Sequence, residues 1–393
     1  MTAGQEIWTL LAGASLLAWL YLVFAHGRFW LGDQRLSRGD PAPPSWPPVC
    51  AVVPARDEAA LVGQAVGSLL EQDYPGPFRV VLVDDESDDG TAEAALAAAE
   101  ASGRADRFEI RRTAPRPEGW VGKMWAVETG VSHALDRFPE TRFLWLSDAD
   151  VTASPTTLRR LVARAEVDRL DLVSLLVKLR CDSPWERLLI PAFVYFFQKL
   201  YPFPRVNDVR KRTASAAGGC VLLRADALER AGGIASIRGA VIDDCALGAR
   251  IKEQGPVWLG LAEQERSVRP YAGLEEIWEM IARSAYDQLR YSPLLLLGTL
   301  AGLSLLYVVP WLAPLTWPLH GSTAAALLGA SAWLALSITF LPTLALYGLS
   351  PARAPALPLA GMLYAGMTFD SAWRHHRGAG ARWKGRFLTQ PTR

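Results

Sequence analysis

Net charge, cysteine and, over one long stretch, charge of any kind are scarce in this 393-residue chain. Lys and Arg number 41 against 40 Asp and Glu, a formal net charge of +1. So small an imbalance sets up no global field that draws phosphate, which excludes a nucleic-acid binder as the first reading. The four cysteines, Cys50, Cys181, Cys220 and Cys245, include no Cys-x-x-Cys pair, so neither a zinc knuckle nor a redox motif is signalled. Each sits in or beside an apolar or small-residue stretch and reads as a reduced thiol on a cytosolic face. With 50% hydrophobic and 21% charged residues the chain is not disordered. There is no internal repeat. From Tyr291 to Ala352 there is no Asp, Glu, Lys or Arg at all. Soluble domains do not usually carry such a run, and it points to a membrane.

Ile7 to Ala25 is a first uncharged segment, close to the ~20 residues that span hydrocarbon. Glu6 precedes it, with no Lys or Arg, while Arg28, Arg35 and Arg38 follow. Residues 1–27 therefore read as a transmembrane anchor with its N-terminus outside, not as a cleaved signal. Residues 28–48, with their prolines from Pro41 to Pro48, read as a linker. Residues 292–369 form the C-terminal membrane part, with spans expected near 294–313 and 325–347, separated by Pro310, Pro314, Pro318, His320 and Gly321. Ala354 to Phe369 is short for a span. It reads as interfacial or re-entrant, with a fourth span as the alternative. That choice keeps a basic tail, 370–393 (Arg374, Arg377, Arg382, Lys384, Arg386 and Arg393), on the anionic inner leaflet. The aromatic segment 184–204 is too short to span. Trp185, Tyr195, Phe196, Phe197 and Tyr201, flanked by Arg187 and Lys199, suit a helix in the headgroup layer; a buried core helix is the alternative.

Between the anchors, residues 49–291 alternate short apolar runs with helical periodicity. Strands are expected at Val49–Val53, Phe78–Val83, Phe108–Arg111 and Phe143–Leu146, and helices at Ala59–Leu70, Thr91–Ala101 and Lys123–Leu135. Ser154 and Pro155 look like the cap and first residue of a further helix. This alternation argues for an α/β fold with a mostly parallel sheet flanked by helices, whose ligands bind at the carboxyl ends of the strands.

Those ends carry acids. Arg56-Asp57-Glu58 follows the first strand, and Asp84, Asp85, Glu86, Asp88 and Asp89 follow the second. So dense a cluster is electrostatically costly unless something uses it, although acids also gather at helix N-termini. Asp148-Ala149-Asp150 ends the fourth strand. Residues i and i+2 of an extended end point the same way, so two carboxylates there can hold Mg²⁺ or Mn²⁺ and leave positions for a diphosphate. Lys123, beside Gly122 at the start of a helix, suits a phosphate contact, though such a lysine is commonly just solvated. Asp243 and Asp244 open another helix, and periodicity does not choose between them.

The ordered set Asp84-Asp85, Asp148-Ala149-Asp150, Asp243-Asp244 and Gln288-Leu289-Arg290-Tyr291 resembles the family 2 glycosyltransferases of GT-A fold, over about residues 49–291. Trp120-Val121-Gly122-Lys123, Arg180 to Trp185, Ala217 to Cys220 and Trp383-Lys384-Gly385-Arg386 are similar to the bacterial hopene-associated glycosyltransferases. The resemblance implies that Pro54, Asp57, Glu58, Asp84 and Asp85 face a nucleoside and that Asp148 and Asp150 hold a divalent metal. It implies that Lys123 adds charge at the diphosphate, that Asp244 is the base with Asp243 before it, and that Gln288 and Arg290 close over the site. A nucleotide sugar, most often a UDP-sugar, a lipid acceptor such as a hopanoid, and single-sugar transfer with inversion would follow. So would a multi-pass place in the bacterial inner membrane with the catalytic part cytosolic. The family's Gln-x-x-Arg-Trp pattern has Asp287 at its first place and Tyr291 at its last. That departure disfavours the processive polysaccharide synthases, in which the motif is strongest. A non-catalytic nucleotide-sugar sensor is the alternative of another class. A nucleotidyltransferase is disfavoured because no Gly-rich N-terminal loop is present.

Overall fold

Short apolar runs without helical spacing become strands in the computed structural model, which describes residues 2–36, 39 and 41–378 and the backbone of 382–383 and 386–387. Arg38, Lys384, Gly385 and Arg393, and the side chains of Arg382, Trp383 and Arg386, lie outside the described residues. The strands β1 (Val49–Ala55), β2 (Phe78–Asp84), β3 (Phe108–Arg112), β4 (Phe143–Ser147), β5 (Val151–Thr152), β6 (Leu172–Lys178), β7 (Cys220–Arg224) and β8 (Val257–Ser267) form one sheet. Their order is β3-β2-β1-β4-β7-β6-β8-β5. β1 runs parallel to β2 and β4, β2 to β3, and β6 to β8. β7 is antiparallel to β4 and β6, and β5 to β8. The sheet is thus mixed, with the parallel pairings that were expected in the majority. The reversal has a consequence: Ser147 pairs with Cys220, so the start of β7 lies beside the end of β4.

Successive strand residues face opposite sides of a sheet. Val49, Ala51 and Val53 of β1 enter one core with the helices Ala59–Leu70, Thr91–Ala101 and Thr157–Val167. Cys50 and Val52 enter the other with Gly122–Arg137 and Asp243–Lys252. A Cβ at Gly130 would stand 2.4 Å from Val52 Cγ1 and 2.7 Å from Val83 Cγ2. Glycine here lets the helix lie close on the sheet and carries Lys123, in its first turn, to the strand ends. Gly130→Val is expected to cost about 1–3 kcal/mol by overpacking, read as a lower denaturation midpoint at unchanged slope. The expected cap at Ser154 is displaced. Ser154 carbonyl accepts from Thr157 N–H (3.0 Å) in a preceding turn, and the helix opens at Thr157.

Among the described residues, three helices are long and apolar enough to cross a membrane: Ala3–Phe24, Pro293–Leu315 and Thr323–Leu346. They pack together through Trp19, whose indole donates to Leu306 carbonyl (2.9 Å), and through the Thr9–Ser322 hydroxyl pair (2.9 Å). The apolar stretch from Ala354 continues into a helix, Leu357–His376, whose second half is polar and docks on the helix Leu274–Ala282. Trp278 Nε1 donates to Asp370 (2.7 Å), and Arg374 pairs with Glu279 (2.6 Å).

The aromatic segment forms the helix Pro184–Leu200, started by a capping box between Ser183 and Glu186. It joins two cores. Val194 packs with the sheet's second core, while Leu189, Ala192 and Tyr195 pack with the apolar helices. The ring of Phe196 meets those of Tyr364 (4.9 Å between centroids), Tyr307 (5.3 Å) and Tyr195 (6.0 Å). Phe196 is therefore a packing residue of this junction, and an aspartate there would break the junction itself.

Candidate active site

The parallel register Ala55–Asp84 puts the ends of β1 and β2 side by side, so their acids share one edge. Much of the acidic run builds its own loop. Asp84 accepts from Ser87 N–H (3.0 Å), and Asp89 accepts from Thr91 and from Ala59 N–H (2.9 Å). Burial by itself would raise the Asp89 carboxyl, but those bonds together outweigh it and hold the group below its usual range. Asp57 and Glu86 adopt left-handed backbone, with φ 51° and 57°. Arg56 lies 3.8 Å from both Asp57 and Asp85 and offsets their charge. Thr113 donates to Asp85 (3.1 Å).

Pro54, Lys123, Asp148, Gly218, Asp243 and Asp244 line one cavity at this edge. Lys123 Nζ is 3.0 Å from Asp148 Oδ1 and 3.2 Å from Asp243 Oδ2. Burial works against its charge, but those two carboxylates outweigh burial and raise its pKa. Asp244 has different partners: Gly218 N–H donates to Oδ2 (3.0 Å) and Cys245 N–H to Oδ1 (2.7 Å). Burial and then the charge of Asp243 push the Asp244 carboxyl up to about 6, against Lys123 and the two N–H donors. The two adjacent acids, left equivalent by periodicity, are thus distinct: Asp243 is the ion-pair partner, and Asp244 is the carboxyl with a raised pKa.

Asp148 and Asp150 do not share a partner. Ala149 between them lies in a turn, with Val151 N–H on Asp148 carbonyl (3.1 Å), so the extended geometry assumed for residues i and i+2 does not apply. Asp150 accepts from Ser267 Oγ (2.6 Å) and Arg269 Nε (3.1 Å). Among the described residues no three His, Cys, Asp or Glu side chains gather into a metal cluster. Two hard carboxylates completed by substrate phosphates are nevertheless a common way to bind Mg²⁺, and the donor chemistry of Asp148 and Asp150 fits it.

Two cations here carry no sequence signal. Arg269 joins Asp150 to Glu58 (2.6 Å), tying the β4 turn to the β1 loop. Burial disfavours its charge, but Asp150 and Glu58 outweigh that and raise its pKa. Arg269→Met is expected to remove the cation that Asp150 and Glu58 share and to destabilise the protein by roughly 3 kcal/mol. Arg269→Lys should recover part of that loss in thermal melts. Arg283 follows the end of Leu274–Ala282 and is half-buried. Burial lowers its pKa, and the charges of Tyr271, Asp243 and Asp148 act against that lowering. Gln288 accepts from Tyr201 OH (3.0 Å), at the end of the aromatic helix. Arg290 is exposed with φ 51°, apart from the cavity-lining residues, and Tyr291 stacks on His375 (4.5 Å).

An acidic, strand-end cavity on a mixed sheet covered by helices on both faces is the build of an α/β enzyme with a GT-A-like fold. Residues 50–232 match glycosyl transferase family 2, and residues 144–366 match glycosyl transferase family group 2. The chain belongs to glycosyl transferase family group 2, whose match spans more than half of it. Among solved structures its fold is similar to the mannosyltransferase PcManGT from Pyrobaculum calidifontis, in complex with GDP-Man and Mn²⁺. That match has 19% identity and a TM-score of 0.55, and covers 94% of this chain and 99% of that one. S. aureus TarS in complex with UDP-GlcNAc is more distant, at 14% identity, TM-score 0.38, and 86% and 95% coverage. Glucosyl-3-phosphoglycerate synthase from Mycobacterium tuberculosis follows at 16%, 0.37, and 60% and 76%. No curated protein matches the chain.

Proposed function

We propose that this glycosyltransferase moves one sugar from a nucleotide sugar, a UDP-sugar in the first instance, to a lipid acceptor such as a hopanoid or a related lipid. It works as a multi-pass protein of the bacterial inner membrane with its catalytic domain, residues 49–291, in the cytosol. The observation that carries this reading is the Asp244 carboxyl, held by Gly218 and Cys245 N–H in a cavity it shares with the Lys123 ammonium, on a domain joined to the apolar segments by the aromatic helix. The charge-asymmetric flanks of the first apolar helix support the topology.

In this reading Asp57, Glu58, Asp84 and Asp85 receive the nucleoside, and Asp148 and Asp150 hold Mg²⁺ or Mn²⁺. When bound, the metal neutralises charge on the leaving diphosphate. Lys123 does the same from the protein side, turning from its carboxylates toward the phosphates. Asp244 accepts the proton of the acceptor hydroxyl as that oxygen forms its bond to the anomeric carbon. The bond from that carbon to the diphosphate breaks on the opposite side, so the configuration inverts. Gln288, held by Tyr201, closes over the diphosphate and acceptor, and Arg290, exposed in this structure, moves in to do so with it.

Donor binding tests the reading without turnover. Thermal melts of the purified protein with a panel of nucleotide sugars, with and without Mn²⁺, should show one donor that stabilises only with metal. The expected gain is about 2.7 kcal/mol at a hundredfold excess over Kd, and Asp150→Ala should abolish it. A folded protein that no donor stabilises would contradict nucleotide-sugar binding itself, in the enzyme and in the sensor alike.

A further inference from the structure

We propose that the loop from Arg205 to Thr213 is a seat for anionic phospholipid headgroups, at the point where the N-terminal helix leaves the bilayer. The inference rests on the reading of Ala3–Phe24 as a membrane span. Arg205 Nη2 donates to Ala25 carbonyl (2.7 Å), one of the carbonyls that a helix end leaves without an intrahelical partner. Gly27, at φ +68°, lets the chains meet: a Cβ there would stand 3.0 Å from Pro202 Cβ and 3.2 Å from Arg205 Cγ. The loop is thereby fastened to the end of the apolar helix.

It is also held in shape largely through its backbone, and Arg210, one of its exposed cations, has an internal partner, Asp208. The Lys252 ammonium donates to the carbonyls of Arg205 (3.2 Å), Val206, Asp208 (3.2 Å) and Thr213 (2.7 Å). The Asn207 amide bonds both N–H and carbonyl of Leu259, at 2.7 and 3.0 Å. A curl gathered by its backbone turns Val209, Arg210, Lys211 and Arg212 to solvent. Its one acid, Asp208, is already paired with Arg210 (3.0 Å).

The surroundings choose the partner. Phe24 (75% exposed) and Leu200 (52% exposed) end the two helices that the loop joins, and Val209 (69% exposed) lies on the loop itself. Apolar side chains interleaved with exposed cations at the end of a membrane helix match the headgroup layer of an anionic leaflet. An acidic protein would satisfy the charges but not the continuity with the apolar helix.

The experiment uses the full chain in nanodiscs of phosphatidylcholine alone or mixed with phosphatidylglycerol, followed by amide hydrogen exchange over residues 205–213. Exchange there is expected to slow about fivefold or more with phosphatidylglycerol, and the difference should shrink in 1 M salt. Arg210→Gln, Lys211→Gln and Arg212→Gln combined should abolish it with the melting temperature close to wild type, since the Lys252 bonds are all to backbone and the Arg210–Asp208 pair that is lost is exposed and worth little. Equal exchange in the two discs would overturn the proposal. Protein that fails to co-migrate with either disc would overturn the membrane reading as well, which separates the two failures.

Discussion

Asp244→Asn is expected to lower kcat by about 10²–10⁴-fold, the usual contribution of general-base catalysis, while donor affinity stays within a few-fold. The amide keeps the shape, and its single carbonyl oxygen accepts from Gly218 N–H while the bond from Cys245 N–H is given up, so the basic oxygen is lost at the cost of one hydrogen bond. Isothermal titration with the donor and single-turnover assays separate the two effects. The wild-type pH profile should carry the same group's signature. Activity should rise with pH and level off above about 6, where the Asp244 carboxyl is deprotonated. Stability runs the other way. Because the folded pKa lies above the ordinary 3.8, the unfolded chain ionises first, so this group's contribution falls as pH rises from about 4 to about 6. An Asp244→Asn protein with wild-type turnover would remove Asp244 from the reaction.

Lys123→Met should have the second large effect, in two readouts. The substitution removes the cation that stands 3.0 Å from Asp148 and 3.2 Å from Asp243, and it leaves three carboxylates around one cavity. At an effective dielectric near 20, two unit charges 4 Å apart interact by about 4 kcal/mol, so the change is not a small one. Lys123 holds the Asp244 carboxyl down, so its loss should move the acid limb of the pH profile upward from about 6 by roughly one unit or more. Donor affinity should fall about tenfold or more, because a charge-assisted contact to the diphosphate goes with it. Lys123→Arg keeps the charge and should hold the limb close to the wild-type position. A limb that stays at its wild-type pH in Lys123→Met would show that the ammonium does not act on Asp244.

The first half of the sheet is legible because punctuation and pattern agree there. Helix Ala59–Leu70 and helix Thr91–Ala101 fall where periodicity puts them, and β1, β2, β3 and β4 extend their expected runs by only a residue or two. Acids after β1, β2 and β4 mark where the apolar run must stop. Beyond Asp150 the signal weakens. Leu172–Lys178 and Cys220–Arg224 are short apolar runs that fit a strand or a buried helix equally, and nothing local announces that β7 enters antiparallel. The same limit applies to the site. Cavity-lining residues Pro54, Lys123, Asp148, Asp243 and Asp244 are all legible in the sequence. The difference between Asp243 and Asp244 is not, because it depends on Gly218 and Lys123, which come from other elements. Arg269 and Arg283 follow a strand and a helix outside any motif, and only the fold brings their charge to the acids. The turn at Ala149 sends Asp148 and Asp150 to separate cations, which strand periodicity alone does not reveal.

The most direct test of the central claim is a transfer assay. Full-length protein in nanodiscs would be given labelled nucleotide sugar, Mn²⁺ and extracted bacterial lipid, and the lipid fraction would be resolved by mass. One added sugar per lipid is expected, absent from Asp244→Asn protein that still binds donor. A ladder of added sugars, or donor binding with no labelled lipid from any extract, would contradict the claim.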